Sequence, residues 1–234
     1  MNVTPAPRAL VTGGNGNLGQ AVARLLADAG YEVHVTVLDA ATRASFSYGM
    51  TKENLVLHVG DLSSETDVRR IFEEVGSPLA ALVATVGGFK GGPFAEMDES
   101  AIDFQYRLNL KSSILTLRYA YPALAAEPGG AAAVLVANRP ALTGAGPGTA
   151  VTTAMKAGIV SLVKSVAEEW KDQGVTVNAI APGIMDTPEN RQAMPDADAS
   201  RWPTPAQVAQ ALLFFLTQEG RIVTGTTLPV FGRS

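Results

Sequence analysis

The chain has 234 residues, a formal net charge of −4, 17% charged residues, no cysteine and two histidines. That length suits one α/β domain with a sizeable core, and a mild negative charge without a basic cluster argues against a nucleic-acid partner. The lack of cysteine excludes disulfides and thiol chemistry, and with no signal-peptide core in residues 1–8 and no apolar run near the roughly 18 residues of a membrane span, the expectation is a cytoplasmic protein with no membrane partner and no metal.

The first element is a short strand at Ala9–Val11, which runs into four glycines within seven residues, Gly13 to Gly19. A helix from about Asn17 to Ala29 follows, with Leu18, Val22, Leu25 and Leu26 on one face and Gly30 at its end. Strand, glycine turn and helix together aim a helix N-terminus at a phosphate. The turn lets backbone approach a pyrophosphate closely, and free N–H groups favour its charge. Thr12, Gly13, Asn15, Gly16, Asn17, Leu18 and Gly19 are therefore the candidate nucleotide contacts.

Strand two spans Tyr31–Leu38. Dinucleotide folds commonly place an acidic residue on the ribose hydroxyls about 20 residues past the glycines. Val37 falls nearest that place, with Asp39 two residues later. Asp39 on the ribose favours NAD; Val37 there leaves room for a 2′-phosphate, with Arg43 as the nearest cation. The expected cofactor is NAD, with NADP the alternative. Residues 39–53 read as irregular, and strand three as Leu55–Val59. Asp61-Leu62 follows that strand's carboxyl end, where Asp61 is placed to touch an adenine. Asp61 or Ser63 equally caps the next helix, Glu65–Val75. His34 and His58 lie inside strands and read as strand packing.

Strand four, Leu79–Val86, ends in Gly87-Gly88, where bulky side chains would obstruct a ligand crossing the sheet edge. An aromatic-bearing loop, Phe89 to Phe94, comes next. A long helix covers Glu99–Ala126, interrupted near Pro122 by its missing N–H, and carries Asn109. Strand five is Ala132–Ala137, followed by the loop Asn138–Gly148 and a helix over Thr149–Trp170. Strand six, Val175–Ile180, leads to Pro182-Gly183. The proline-rich stretch Met185–Pro205 is too long for a mere connection and reads as a lid. A helix at Ala206–Gln218 and a strand at Thr226–Val230 close the chain. Alternation of strands and helices without a composition break predicts a single doubly wound Rossmann-fold domain over residues 1–234. Its seven-stranded sheet is mainly parallel, with helices on both faces.

Thr12-Gly13 with Gly16 and Gly19, Asp61-Leu62, Gly87-Gly88, Asn109, Lys156, and Pro182-Gly183 followed by Thr187 together resemble the short-chain dehydrogenase/reductase family over nearly the whole chain. Within that family, residues 87–92 and 186–198, with Trp202 just beyond, are similar to the dihydropteridine reductases. The resemblance implies an NAD(P)-binding oxidoreductase. Gly13, Gly16 and Gly19 would cradle the pyrophosphate, Asp61 would read the adenine, Lys156 would bond the nicotinamide ribose and Thr187 would hold the carboxamide. Asn109 would steady Lys156. The reaction it implies passes hydride to a C=O or C=N bond of a small-molecule substrate. Homodimers or homotetramers paired through residues 99–126 and 149–170 are implied as well.

The chain departs from the family where its tyrosine acid stands, four residues before Lys156: that place holds Thr152. Arg139 holds the place of the family's serine. A phenol titrates near about 10 and a neighbouring cation lowers that toward neutrality, whereas an aliphatic hydroxyl is too weak an acid to be rescued so. Thr152 is left to orient a substrate or a water. Three readings follow. The first is a reductase that draws its proton from water or Lys156. The second is a reductase whose acid is Tyr106 or Tyr119, and the third a nucleotide-binding protein that acts without catalysis as sensor, regulator or partner subunit. The candidate catalytic set is Lys156, Thr152, Asn109 and Arg139. Phe89, Arg139, Thr152 and the loop Met185–Trp202 would bound a pocket for a flat heterocycle or a small carbonyl compound, with Phe89 and Trp202 available to stack on a ring.

Overall fold

Runs of alanine, valine and leucine too short for helices pair here as seven strands: β1 Arg8–Thr12, β2 Glu32–Val37, β3 Leu55–Val59, β4 Ala81–Ala84, β5 Ala131–Val136, β6 Val175–Pro182 and β7 Thr227–Val230. The computed structural model describes residues 5–45, 55–144 and 146–233, with backbone alone for 43–45. The Arg43 side chain therefore lies outside the described residues. The sheet order is β3-β2-β1-β4-β5-β6-β7 and every pair is parallel. Parallel pairs need crossovers, and helices supply them: α1 Asn17–Asp28, α2 Ala40–Ser45, α3 Glu65–Val75, α4 Glu99–Tyr106, α5 Ser112–Ala125, α6 Pro140–Thr143, α7 Ala150–Trp170, α8 Pro188–Ala193 and α9 Pro205–Leu213. The strand order reverses between β1 and β4, which opens a crevice at the carboxyl edge where such sheets bind ligands.

Alternate residues of each strand face opposite sides. Leu10 joins Ile71, Leu82, Leu124, Ile159 and Val177 on one face. Ala9 and Val11 join Val22, Leu26, Val33, Leu212 and Phe215 on the other. Residues 150–173 are, among the described residues, a helical stretch long and apolar enough to cross a membrane. In this fold Ile159, Val163 and Ala167 of that stretch are buried in the core.

Three expectations are corrected. Residues 39–53 are not wholly irregular, because Asp39 accepts a hydrogen bond from the Thr42 N–H at 2.7 Å and so starts α2. The long helix is interrupted not at Pro122, which rides inside α5, but by a π-turn at Arg107–Lys111. Such turns are rare and tend to mark functional places; this one accompanies the burial of Asn109. The stretch 185–205 is not a bare loop: Thr187 caps α8 and Asp198 caps a short turn at Ala199–Arg201.

His34 and His58 are strand residues, as expected, but they do more than pack. His34 Nδ1 meets His58 Nε2 at 2.9 Å, His34 Nε2 meets Glu32 at 2.9 Å, and His58 Nδ1 meets Glu74 at 2.8 Å. Three hydrogen bonds in a row need three protons, and two neutral imidazoles hold two. The fully bonded chain is therefore a single cation between two carboxylates, with Arg8 near Glu32 and Arg70 on Glu74. A fourth proton would set two N–H groups face to face. Burial accordingly holds His34 below the ordinary histidine range, against the pull of Glu32. Unfolded His34 takes up a proton on acidification that the folded chain refuses, so stability falls as pH drops below roughly 6.5. Urea midpoints measured between about pH 6.5 and 5 are expected to fall less steeply in the His34→Val/His58→Val double variant; equal slopes would contradict the shared-proton chain.

Candidate active site

The glycine turn after β1 is dictated by crowding. A Cβ on Gly19 would stand 2.3 Å from the Gly13 carbonyl oxygen and 2.8 Å from the Gly14 Cα. Gly13 itself has φ +68°, a conformation that favours glycine. Gly16 differs: its Cβ would meet only the Gly13 oxygen, at 3.4 Å. It begins α1 without a side-chain cap, whereas Ser64, Asp98, Thr187 and Thr204 cap α3, α4, α8 and α9. The first N–H groups of α1 thus meet no side-chain cap, next to a crevice that Gly13, Asn15 and Gly16 line. This is an arrangement suited to an anion.

That crevice has a volume of about 270 Å³ and is lined by Gly13, Asn15, Gly16, Thr36, Val37, Leu38, Gly60, Asp61, Leu62, Thr85, Val86, Gly87 and Leu108. Thr12 ends β1 just before Gly13, its buried hydroxyl without a hydrogen-bond partner among the described residues. Leu18 is buried in the core, and Asn17 reaches α8, donating to Glu189 at 2.9 Å. Asp61 accepts from the Ser63 N–H at 2.8 Å and from Arg107 at 3.1 Å. Burial works to raise its pKa, but these bonds and the Arg107 charge hold it below the usual carboxylate range. Val37 and Leu38 line the crevice. Asp39 does not; its carboxylate is committed to the first turn of α2.

Gly87 joins this crevice to a second cluster. A Cβ there would stand 3.1 Å from both Lys156 Nζ and Asn109 Oδ1. Gly88 is equally confined, since its Cβ would meet Leu108 at 2.5 Å. Lys156 comes from α7 and is buried, donating to the Val136 carbonyl at 2.8 Å. That is its one partner among the described residues, although an ammonium has three donors. Burial alone pulls its pKa from 10.5 to about 8. Asn109 donates to the Gly88 carbonyl at 2.9 Å and to Gln105 at 2.7 Å, and accepts from the Gly88 N–H at 3.1 Å. Thr152, one turn before Lys156, is also buried and accepts from Gln105 at 2.7 Å.

The other expected residues are less central. Arg139 stacks over the Phe231 ring at 5.3 Å, and its N–H bonds the Pro182 carbonyl. Pro182 ends β6, and Gly183 N–H bonds the Val230 carbonyl. Thr187 is buried and engaged as the α8 cap. Trp202 is buried and borders a separate cleft with Arg201 and Arg233, so it is not presented for stacking; Phe89 is exposed. Tyr119 donates to Glu65 at 2.6 Å on the α3 side, and Tyr106 faces solvent. Neither tyrosine is built into the cluster around Lys156. Gln105 escaped sequence reasoning. Its only sequence signal is a place one turn before Asn109, meaningful once both are known to be buried.

A family model described as enoyl-(acyl carrier protein) reductase matches residues 14–232, nearly the whole chain. The chain belongs to the short-chain dehydrogenase/reductase family. Relatives include 4-formylbenzenesulfonate dehydrogenase of Comamonas testosteroni, 30% identical over 96% of each chain. A 3-oxoacyl-(acyl-carrier-protein) reductase of Staphylococcus aureus is 27% identical, again over 96% of each chain. Among solved structures, an NADPH-bound short-chain oxidoreductase of Pseudomonas aeruginosa, described as containing an atypical catalytic centre, superimposes with TM-score 0.87. It is 27% identical, over 97% of this chain and 95% of that one. A Burkholderia cenocepacia short-chain dehydrogenase in complex with NADP gives TM-score 0.83 at 26% identity, over 97% and 96%. These neighbours carry NADP(H), so the expectation of NAD finds no support in them.

The two glycines separate fold from ligand. Gly19→Ala is expected to destabilise the chain by about 1–3 kcal/mol, because backbone must move. Gly16→Ala is expected to cost less than about 1 kcal/mol as a helix cap, yet to weaken NADPH binding about tenfold or more by placing a methyl in the crevice mouth. Urea melts and NADPH fluorescence titration check both; unchanged affinity in Gly16→Ala would remove the cradle from this turn.

Proposed function

We propose that this family member is an NADPH-dependent reductase of a small carbonyl compound or C=N heterocycle, with Lys156 as the proton source in place of the family tyrosine. The observation that carries this reading is the buried Lys156 ammonium, held near pKa 8 with two donors free of protein partners among the described residues. A buried cation left that way is poised for a ligand oxygen or for proton release.

The residues fit a dinucleotide. Gly13, Gly16 and the open start of α1 would receive the pyrophosphate, and Asp61 with Leu62 the adenine. Thr12, Asn15, Asn17, Gly19, Gly87, Gly88, Pro182 and Gly183 would shape the bed, and Thr187 with Lys156 would face the nicotinamide end. The commitment of Asp39 to α2 supports NADP over NAD, since Asp61, given to the adenine, is the one carboxylate among the described residues that line the crevice. Once bound, the nicotinamide supplies hydride. Thr152 donates a hydrogen bond to the substrate oxygen or nitrogen, and Lys156 delivers the proton that completes reduction. Asn109 and the absence of a side chain at Gly87 keep the ammonium's surroundings open and polar. Arg139, near the edge, would meet an anionic substrate group.

The likeness of residues 87–92 and 186–198 to dihydropteridine reductases supports a flat pterin-like substrate as the first to try. The exposed apolar side chains Ile102, Phe104, Tyr106 and Ile114 on α4 and α5 support pairing into homodimers or homotetramers.

NADPH oxidation with quinonoid dihydropterin and a panel of aldehydes and ketones tests the function. Turnover is expected to fall above about pH 8 as Lys156 loses its proton, and Lys156→Met is expected to lose about 100-fold or more in kcat. Binding of NADPH without oxidation by any member of the panel would instead support the nucleotide-binding sensor or partner subunit.

A further inference from the structure

Gln105, in the last turn of α4, is fully buried. Its Nε2 donates to Thr152 Oγ1 at 2.7 Å and to the Lys90 carbonyl at 2.8 Å, and its Oε1 accepts from Asn109 Nδ2 at 2.7 Å. The orientation of this amide is forced. Turned over, its oxygen would face the Lys90 carbonyl and its nitrogen the Asn109 NH2, acceptor against acceptor and donor against donor. Asn109 is locked in turn, because its oxygen takes the Gly88 N–H and its nitrogen serves the Gly88 carbonyl. One direction of hydrogen bonding therefore runs from the Gly88 backbone through Asn109 and Gln105 to Thr152.

The end of this chain matters for chemistry. An amide N–H2 group has no lone pair to offer, so Thr152 Oγ1 must accept from Gln105. Its own proton has no acceptor among the described residues. A helical threonine commonly spends that proton on a carbonyl of the preceding turn; this one does not.

We propose that Gln105 is a positioning residue which fixes the Thr152 hydroxyl as a hydrogen-bond donor toward the reacting oxygen or nitrogen of the substrate. The inference rests on the reductase reading above and adds the polarity of the site. The group that Thr152 meets must carry a lone pair, as a carbonyl oxygen or imine nitrogen does. A hydroxyl substrate that needed its proton taken would find only the second lone pair of Oγ1 there, too weak a base to remove it.

The test uses the intact chain with NADPH and whichever panel substrate turns over. Gln105→Met removes the donor at similar volume. It is expected to lower kcat about tenfold or more while the NADPH Kd stays within about twofold. Thr152→Val is expected to lose a similar factor, and the double variant no more than the larger single loss, because Gln105 acts through Thr152. Thr152→Ser should retain most of the activity. Gln105→Glu keeps the volume and carries the test if methionine destabilises the fold. Its carboxylate would take the Thr152 proton, so kcat should be low near neutrality and recover toward acid as the side chain gains a proton to donate. A Gln105→Met kcat near wild type, additive losses in the double variant, or a Gln105→Glu enzyme without the acid recovery would each overturn the assignment. A wild-type chain that binds NADPH but reduces nothing fails earlier, at the reductase reading, and takes the inference with it.

Discussion

A single buried charge organises the carboxyl edge of this sheet. Lys156 leaves α7 and ends beside Val136 and Gly87, with one carbonyl as its hydrogen-bond partner among the described residues. Its pKa of about 8 against 10.5 in water corresponds to roughly 3 kcal/mol spent on keeping the ammonium charged in the fold. The sign is instructive. Between pH 8 and 10.5 the unfolded chain holds a proton that the folded chain has released, so this burden is full at neutral pH and disappears as pH rises through that window. A core methionine in its place would carry no such burden. The strain resides where a ligand oxygen would relieve it.

The rest of the cluster can be read as the consequence. A side chain at Gly87 would press on both the ammonium and the Asn109 oxygen. Asn109 accompanies the π-turn in the long helical stretch, and its amide is then occupied by Gly88 and Gln105. The glycines of the first turn solve a separate problem. Gly13 and Gly19 let loop and helix touch, whereas Gly16 leaves space at an uncapped helix start. The crevice therefore has an uncapped helix start beside one part of its lining and, behind Gly87, the buried ammonium.

Much of this was legible from residue order. The strand–glycine–helix start, the seven apolar runs and the spacing of Asp61, Gly87, Asn109 and Lys156 led to the right sheet and brought most of the proposed bed together. What escaped depended on choices that a linear pattern does not record. The place of Asp39 after β2 suits a ribose contact in sequence, yet its distance of three residues from Thr42 suits a helix cap equally well, and the fold uses it as the cap. A missing N–H is visible in sequence and points to Pro122 as the helix break, whereas a π-turn has no composition signature. Trp202 looked free for stacking because burial cannot be read from a proline-rich stretch. Gln105 and the histidine–glutamate chain share one reason for being hidden in the sequence: the partner that gives each its meaning, Thr152 for Gln105 and His58 for His34, lies far along the chain on another element.

On the proposed reading, in which Thr152 stands at the place of the family tyrosine, the site divides its labour. A phenol of ordinary acidity, near about 10, needs a cation beside it to act near neutrality. In this chain the cation is itself the stronger acid, since burial has brought Lys156 to about 8. The proton and the orienting hydrogen bond, which one phenol would supply together, are thus separable: the ammonium can hold the first while a threonine hydroxyl supplies the second. Such a division works only if the hydroxyl cannot turn away. Its partner is therefore better buried and amide-like than mobile and ionisable, and Gln105 has that character. Burial keeps water from competing for Thr152, and the locked amide keeps the hydroxyl from reversing its role.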